Sequence, residues 1–311
     1  MSNKIPPAPL FRDPIYDGAA DPTLIYNEAE QEWYMFYTNR RASVPSIKYG
    51  YVHGTDIGIA TSPDGIHWLY RGTAQGLEFE NGRNTFWAPE VIFAEGKYHM
   101  YCTYLKGVPI DWGVKKWIVH YTSDDLWNWH FESILDLPYD QVIDACVKEI
   151  APKKWKMWYK VDSNAHTYTA YSDDLYNWTA GDCEIDDAPH EGPYVFTYKG
   201  YNWMIVDQWN GQRVYRSNNF SDWEYKNTIL REGGTRADDG FIGGHASVVV
   251  NGNNAYIFYF LHPERTPENC KQEIVHNEHR YRRTSIQVAQ LEFDGETLQC
   301  DRNKEFELIL R

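Results

Sequence analysis

One phrase recurs four times along the chain and limits what it can fold into. It runs Ala60-Thr61-Ser62-Pro63-Asp64-Gly65-Ile66-His67-Trp68, then Tyr121-Thr122-Ser123-Asp124-Asp125-Leu126-Trp127-Asn128-Trp129. It returns as Tyr171-Ser172-Asp173-Asp174-Leu175-Tyr176-Asn177-Trp178 and as Arg216-Ser217-Asn218-Asn219-Phe220-Ser221-Asp222-Trp223. The closing tryptophans stand 61, 49 and 45 residues apart. Self-similarity at such a period marks a solenoid, a propeller or an array, because one unit cannot bury its apolar face alone. The content of the unit selects among these. Before each phrase lie short β-rich runs, such as Thr23-Leu24-Ile25-Tyr26, Trp33-Tyr34-Met35-Phe36-Tyr37 and Ile57-Gly58-Ile59-Ala60 in the first unit. Turn signals such as Glu95-Gly96 and Lys199-Gly200 separate the first two runs. A fifth unit, built on Ala246-Ser247-Val248-Val249-Val250 and Ala255-Tyr256-Ile257-Phe258-Tyr259-Phe260, lacks the phrase. No long amphipathic helix competes. The expectation is an all-β, five-bladed β-propeller occupying residues 1–311 as one domain, with residues 1–20 pairing with the last blade or wrapping it.

Composition narrows the function. Aromatics make up 16% of the chain, which suits β-structure and the stacking of flat rings on sugar faces. A formal net charge of −14 disfavours nucleic acid and anionic membranes as partners. The five cysteines contain no CxxC pair and read as buried free thiols. The N-terminus, Met1-Ser2-Asn3-Lys4-Ile5-Pro6-Pro7, has no apolar leader, so the expected compartment is the cytoplasm, although a removed signal peptide would look the same.

In a propeller the innermost strands converge on one axis, so residues at their starts meet although distant in sequence. Those positions hold Asp21, Trp87-Ala88-Pro89-Glu90, Asp144, Glu191 in His190-Glu191-Gly192-Pro193, and His245. Polar residues recur at the same point of the repeat, and most are acidic. Clustered carboxylates split their pKa values, so one stays protonated while another stays ionised, as hydrolysis of a glycosidic bond requires. Singly, each has a bland reading: Asp21 as a turn former before Pro22, Asp144 as a satisfied buried carboxylate, His245 as an inner-strand histidine. Their shared register favours a site. The repeated tryptophans have the opposite reading: Trp68, Trp129, Trp178 and Trp223 pack between blades, and the aspartates beside them close turns. The charged run from Pro263 to Arg283 reads as a solvated excursion, with a loop over the site as the alternative.

These residues resemble glycoside hydrolase family 43. The resemblance rests on Ala20-Asp21-Pro22, Phe86-Trp87-Ala88-Pro89-Glu90-Val91, Val142-Ile143-Asp144, Glu191-Gly192-Pro193 and Gly244-His245, and it extends from about Asp13 to the last blade. It implies an inverting mechanism in which Asp21 is the general base, Glu191 the general acid, and Asp144 raises the pKa of Glu191 and orients it. It implies an oligosaccharide substrate and no required cofactor. It allows a mostly hydrated structural calcium ion on the axis beside His245, the one metal-ligating candidate. For the substrate pocket the candidates are Trp87 (a stacking platform or an inter-blade packer), an arginine near the last inner strand of blade five (Arg283, then Arg282), and Phe86, His190, Trp209 and His245. Asp13, in Phe11-Arg12-Asp13-Pro14, rivals Asp21 as base. The expected activity is release of terminal or branch pentose units, of α-L-arabinofuranosidase or β-xylosidase type. The alternatives are an exo-glycosidase acting on galactofuranose or anhydro-sugar oligomers, and a catalytically inactive sugar-binding propeller.

Overall fold

The computed structural model describes residues 4–311; Met1, Ser2 and Asn3, part of the N-terminus read above, lie outside the described residues. Among the described residues twenty strands form five four-stranded antiparallel sheets, each made of four strands consecutive in sequence. The innermost strands are Ala19–Asn27, Thr85–Ala94, Val142–Ala151, Glu191–Tyr198 and Ala246–Asn251. Each lies against that of the next blade, and the fifth lies against the first, which closes a five-bladed propeller. Among the described residues no helix is long and apolar enough to cross a membrane.

The repeated phrase forms the corner between the third and outer strands. The Ser123 hydroxyl accepts the Leu126 N–H at 3.0 Å, and Asp125 Oδ1 accepts the N–H groups of Trp127 and Asn128 at 2.8 Å each. Ser172 and Asp174 repeat this, and Asn219 takes the aspartate's part in blade four. These side chains satisfy turn donors that no sheet can reach. Three of the four closing tryptophans pack edge-to-face on the preceding blade, Trp129 on Phe36, Trp178 on Tyr101 and Trp223 on Trp158, and Trp68 packs against the apolar cluster that holds Tyr256 and Phe258. The structural reading of these tryptophans therefore holds. The five cysteines are free, with Cys102 and Cys146 buried and the others partly so.

The junction between blades five and one is built differently, from both ends of the chain. Residues 10 and 11 pair with the third strand of blade five: Phe11 and Ile286 exchange backbone hydrogen bonds of 3.1 and 2.9 Å. Phe306, Leu308 and Leu310 are buried in one apolar cluster with Leu10, Trp33, Ile66 and Tyr256. The Leu308 N–H donates to the Lys4 carbonyl at 2.9 Å, and the Tyr256 hydroxyl donates to the Glu307 carbonyl at 3.0 Å. The N-terminal segment thus pairs with the last blade, one of the two expected arrangements.

Candidate active site

The inner strands of blades one to four each carry an irregularity near their start. Register breaks between Ala20 and Thr23, Trp87 and Glu90, Ile143 and Cys146, and Glu191 and Tyr194. Inside each break one residue takes a positive φ: Asp21 (52°), Ala88 (44°), Asp144 (59°) and Gly192 (59°). Such bulges bend a strand and re-aim its side chains, and they cluster beside active sites. Asp21 and Asp144 are therefore true equivalents. Glu191 stands one residue earlier than that position, which blade four gives to glycine, so the shared register holds for two of the three carboxylates. Gly192 is required twice over. Its backbone is left-handed, and a Cβ there would come within 2.9 Å of the His245 ring.

Asp21, Asp144, Glu191 and His245 line one inner pocket of about 70 Å³, which Trp87, Arg40 and Trp112 help to enclose. Asp21 and Asp144 are buried, and Glu191 is 28% exposed. His245 Nδ1 lies 3.9 Å from a carboxylate oxygen of each aspartate. Arg40 Nη2 donates to Asp21 Oδ1 at 3.2 Å, and the Gly192 N–H donates to Asp144 Oδ2 at 3.0 Å. That last bond ties Asp144 to the residue after Glu191. Lys160 Nζ lies 3.2 Å from Glu191 Oε2 and 2.8 Å from Asp162 Oδ1. Above the pocket opens a cavity of about 640 Å³ that shares Glu191, Arg40, Trp87 and Trp112 and adds Trp209 and Asp207.

Burial dominates the electrostatics. Desolvation pushes the Asp144 carboxyl from the usual 3.8 up to about 7; Glu191 and Asp21 add to the rise, and His245 and Lys160 oppose it. Desolvation, then Glu191, also drives Asp207 well above the carboxylate range. Asp207 is the cross-strand partner of Glu191 and accepts the Trp209 N–H at 2.7 Å. Lys160 is held above the usual ammonium range by Glu191 and Asp162 against its own desolvation. Deeper on the axis, burial pushes Glu90 up to about 7, although it accepts the Val147 N–H at 3.1 Å. The expectation that Asp144 keeps Glu191 protonated thus meets a site where Asp144 itself holds a proton near neutrality and Glu191 faces an ammonium.

The structure separates the other sequence candidates. Trp87 lines both spaces and also anchors the wall, donating its indole N–H to the Val52 carbonyl at 2.6 Å. Trp209 lines the cavity at 47% exposure, its ring 5.1 Å from Lys160 Nζ. Phe86 does not line either space; it lies in the apolar core between blades one and two against Tyr104. His190 is buried, with Nδ1 on the Ala188 carbonyl and Nε2 on the Thr167 hydroxyl, each at 2.7 Å, and desolvation lowers its pKa. Both nitrogens are used, leaving none for a ligand. Arg283 is corrected: Asp238 and Glu264 occupy its guanidinium, and it lines neither space. Arg282 is spent on the backbone carbonyls of Val44, Ser46 and His276. The arginines that face the cavity are Arg40 and Arg265. Asp13 closes a turn with the Ile15 and Tyr16 N–H groups and binds the Tyr37 hydroxyl, away from the pocket. The 263–283 run is not a solvated excursion alone, because Arg265, Lys271 and His276 line the cavity.

Lys160, Asp207 and Arg40 went unread in the sequence. Asp207 ends the second strand of its blade, after Met204-Ile205-Val206, Lys160 is the last residue but one of its own, after Met157-Trp158-Tyr159, and Arg40 follows directly on another. A charge closing an apolar inner run was the available signal. As to metal, among the described residues no group of three or more His, Cys, Asp or Glu is arranged to hold an ion. Calcium takes six to eight oxygens. Here Asp21 is engaged by Arg40 and Asp144 by a backbone N–H, so the residues around His245 form no calcium cage.

Comparison with known proteins gives the family and the fold. The sequence profile of glycosyl hydrolases family 43 matches residues 11–295. Solved structures share the fold. A family-43 β-1,3-galactosidase bound to galactodeoxynojirimycin is 15% identical with TM-score 0.68, over 96% of this chain and 99% of that one. A β-xylosidase/α-arabinofuranosidase from a compost microbial metagenome, calcium-free and bound to xylotriose, is 15% identical with TM-score 0.65, over 96% and 97%. An exo-β-1,3-galactanase from Phanerochaete chrysosporium is 12% identical with TM-score 0.69, over 94% and 65%. No curated protein matches the sequence. With its profile matched across nearly all its length, the chain belongs to glycosyl hydrolases family 43 and is an inverting glycoside hydrolase.

Proposed function

We propose that the inner pocket cleaves a terminal or branch pentose from an oligosaccharide, as an α-L-arabinofuranosidase or β-xylosidase does. The observation that carries the site assignment is the meeting of Asp21, Asp144 and Glu191 around one pocket under an aromatic-walled cavity. In the proposed reaction a water attacks the anomeric carbon and gives its proton to Asp21. The bond from that carbon to the leaving oxygen breaks, and the oxygen takes a proton from Glu191. Asp144 acts through Glu191: it fixes the next residue's N–H and, once ionised above about pH 7, carries charge beside it. Trp87, Trp112 and Trp209 offer faces for sugar rings. The small inner pocket supports the pentose reading. The galactose-active neighbours support a second reading with the same chemistry.

The assignment of the acid is tested with Glu191→Ala. Turnover of glycosides with poor leaving groups falls by about 100-fold or more, while activated aryl glycosides lose less, because a good leaving group needs no proton. Equal loss on both, or none, removes Glu191 from the role. NMR of the first-formed anomer checks Asp21: retention is incompatible with its activating water.

A further inference from the structure

The wall of the large cavity on the side of blades one and five is cationic, in a protein whose formal net charge is −14. Arg40, Arg265 and Lys271 line it together with His262 and His276. Arg40 is balanced by Asp21. Arg265 is not balanced. Its Nε donates to the Tyr281 carbonyl at 2.9 Å and its Nη2 to the Tyr51 hydroxyl at 3.0 Å, both neutral acceptors. Among the described residues no carboxylate lies within ion-pair distance of Arg265 or Lys271, and Nη1 of Arg265 has no protein acceptor. The guanidinium is half-buried at the root of the loop that crosses the cavity. Withdrawing an unpaired charge from water is costly, and the usual compensation is an anion. The surroundings show the same excess of positive charge. Desolvation, then Arg265 and Arg40, drive His262 well below the usual histidine range, and His276 is lowered by desolvation, Arg265 and Arg282.

A planar guanidinium with one edge fixed by neutral acceptors presents its remaining N–H groups as a fork, which matches a carboxylate better than a hydroxyl. We infer that Arg265 is an anion subsite, and that the substrate is an acidic oligosaccharide carrying a uronosyl carboxylate that reaches this wall. The inference rests on the glycosidase reading of the same cavity and specifies the class of sugar chain it takes. With Arg40 already paired to Asp21 and Lys271 exposed to solvent, Arg265 is the group of this wall that the bound carboxylate balances. The cationic wall lies across the cavity from Lys160 and Trp209, so acidic recognition and leaving-group protonation are served by different blades.

The test uses full-length protein with Glu191→Gln, which permits binding without turnover. Glucuronosyl-bearing xylotriose and its carboxyl-reduced counterpart are titrated by calorimetry at low salt, and a glucuronosyl-bearing β-1,3-galactotriose pair is run beside them. In at least one series the acidic member binds roughly 10-fold tighter, the factor expected when a hydrogen bond to a charged group replaces one to a neutral group. The preference shrinks as salt rises. Adding Arg265→Met abolishes it, and Arg265→Lys, which keeps the charge but loses the fork, retains part. Should Arg265→Met fail to fold, salt dependence and Lys271→Met carry the comparison. Equal or tighter binding of the carboxyl-reduced member in both series overturns the inference. The glycosidase reading is judged separately, by whether the wild-type protein hydrolyses the neutral oligosaccharides.

Discussion

Asp144→Asn isolates the electrostatics of the site. The substitution keeps the shape. Asparagine tolerates the left-handed backbone at φ 59°, and its amide oxygen can still accept the Gly192 N–H. What changes is a buried charge. The folded protein holds the Asp144 proton up to about pH 7, against the usual 3.8 in the unfolded chain. Between those values the folded state binds the extra proton, so wild-type stability falls as pH rises from about 4 to about 7 and is level above. At 1.36 kcal/mol per pH unit the interval corresponds to about 4 kcal/mol. The asparagine protein lacks this slope. At pH 4.5 the two proteins unfold at nearly the same urea concentration, since both then carry a neutral group. At pH 8 the variant is the more stable by up to about 4 kcal/mol, or several degrees in Tm. Its kcat falls by about 100-fold or more, because the charge that costs stability is the one proposed to act on Glu191. Urea unfolding at the two pH values, with kcat on an unactivated glycoside, decides the matter. A stability difference independent of pH, or a variant less stable at pH 8, refutes the reasoning.

Lys160→Met removes the ammonium that Glu191 and Asp162 share; kcat should fall about 10- to 100-fold with a smaller change in KM, and an equal loss in both would make Lys160 a substrate contact instead. Trp209→Ala, which deletes an exposed ring on the cavity wall, should raise KM for oligosaccharides about 5- to 30-fold while aryl glycosides change less; a parallel rise for both counts against stacking there. Removing residues 306–311 strips Phe306, Leu308 and Leu310 from the blade-five junction, a loss on the order of 5 kcal/mol at about 1.5–3 kcal/mol per buried side chain. Tm should drop by about 10 °C or more, and an unchanged Tm would show that the tail is dispensable for closure.

The fold was legible because the repeat is a local device. The hydrogen bonds of Ser123 and Asp125, and the indole of Trp129, depend on residues a few places apart, so their spacing survives in the sequence. Axial positions were legible for the same reason, since Asp21 and Asp144 mark the bulge of blades one and three. The site's surroundings were less so. Arg283 lay near the expected strand, but its partners Asp238 and Glu264 come from other loops, and no spacing rule announces them. Lys160 faces Glu191 only because blade three packs beside blade four. His190 is adjacent to Glu191 in sequence yet points away, tied to Thr167 and Ala188.

The blade-five junction has a kinetic consequence. Four joints of the ring are covalent, since the chain runs directly from one blade into the next. The fifth is a latch of apolar side chains and a few backbone hydrogen bonds between the two ends of the molecule. A closed ring with one non-covalent joint opens there first. Asp21 belongs to blade one and His245 to blade five, so the two stand on opposite lips of that opening. Loosening the latch pulls apart the proposed base and its histidine neighbour before any blade unravels. Heat or denaturant should therefore abolish turnover ahead of the loss of β-structure, and amides at Phe11, Ile286 and Leu308 should exchange first.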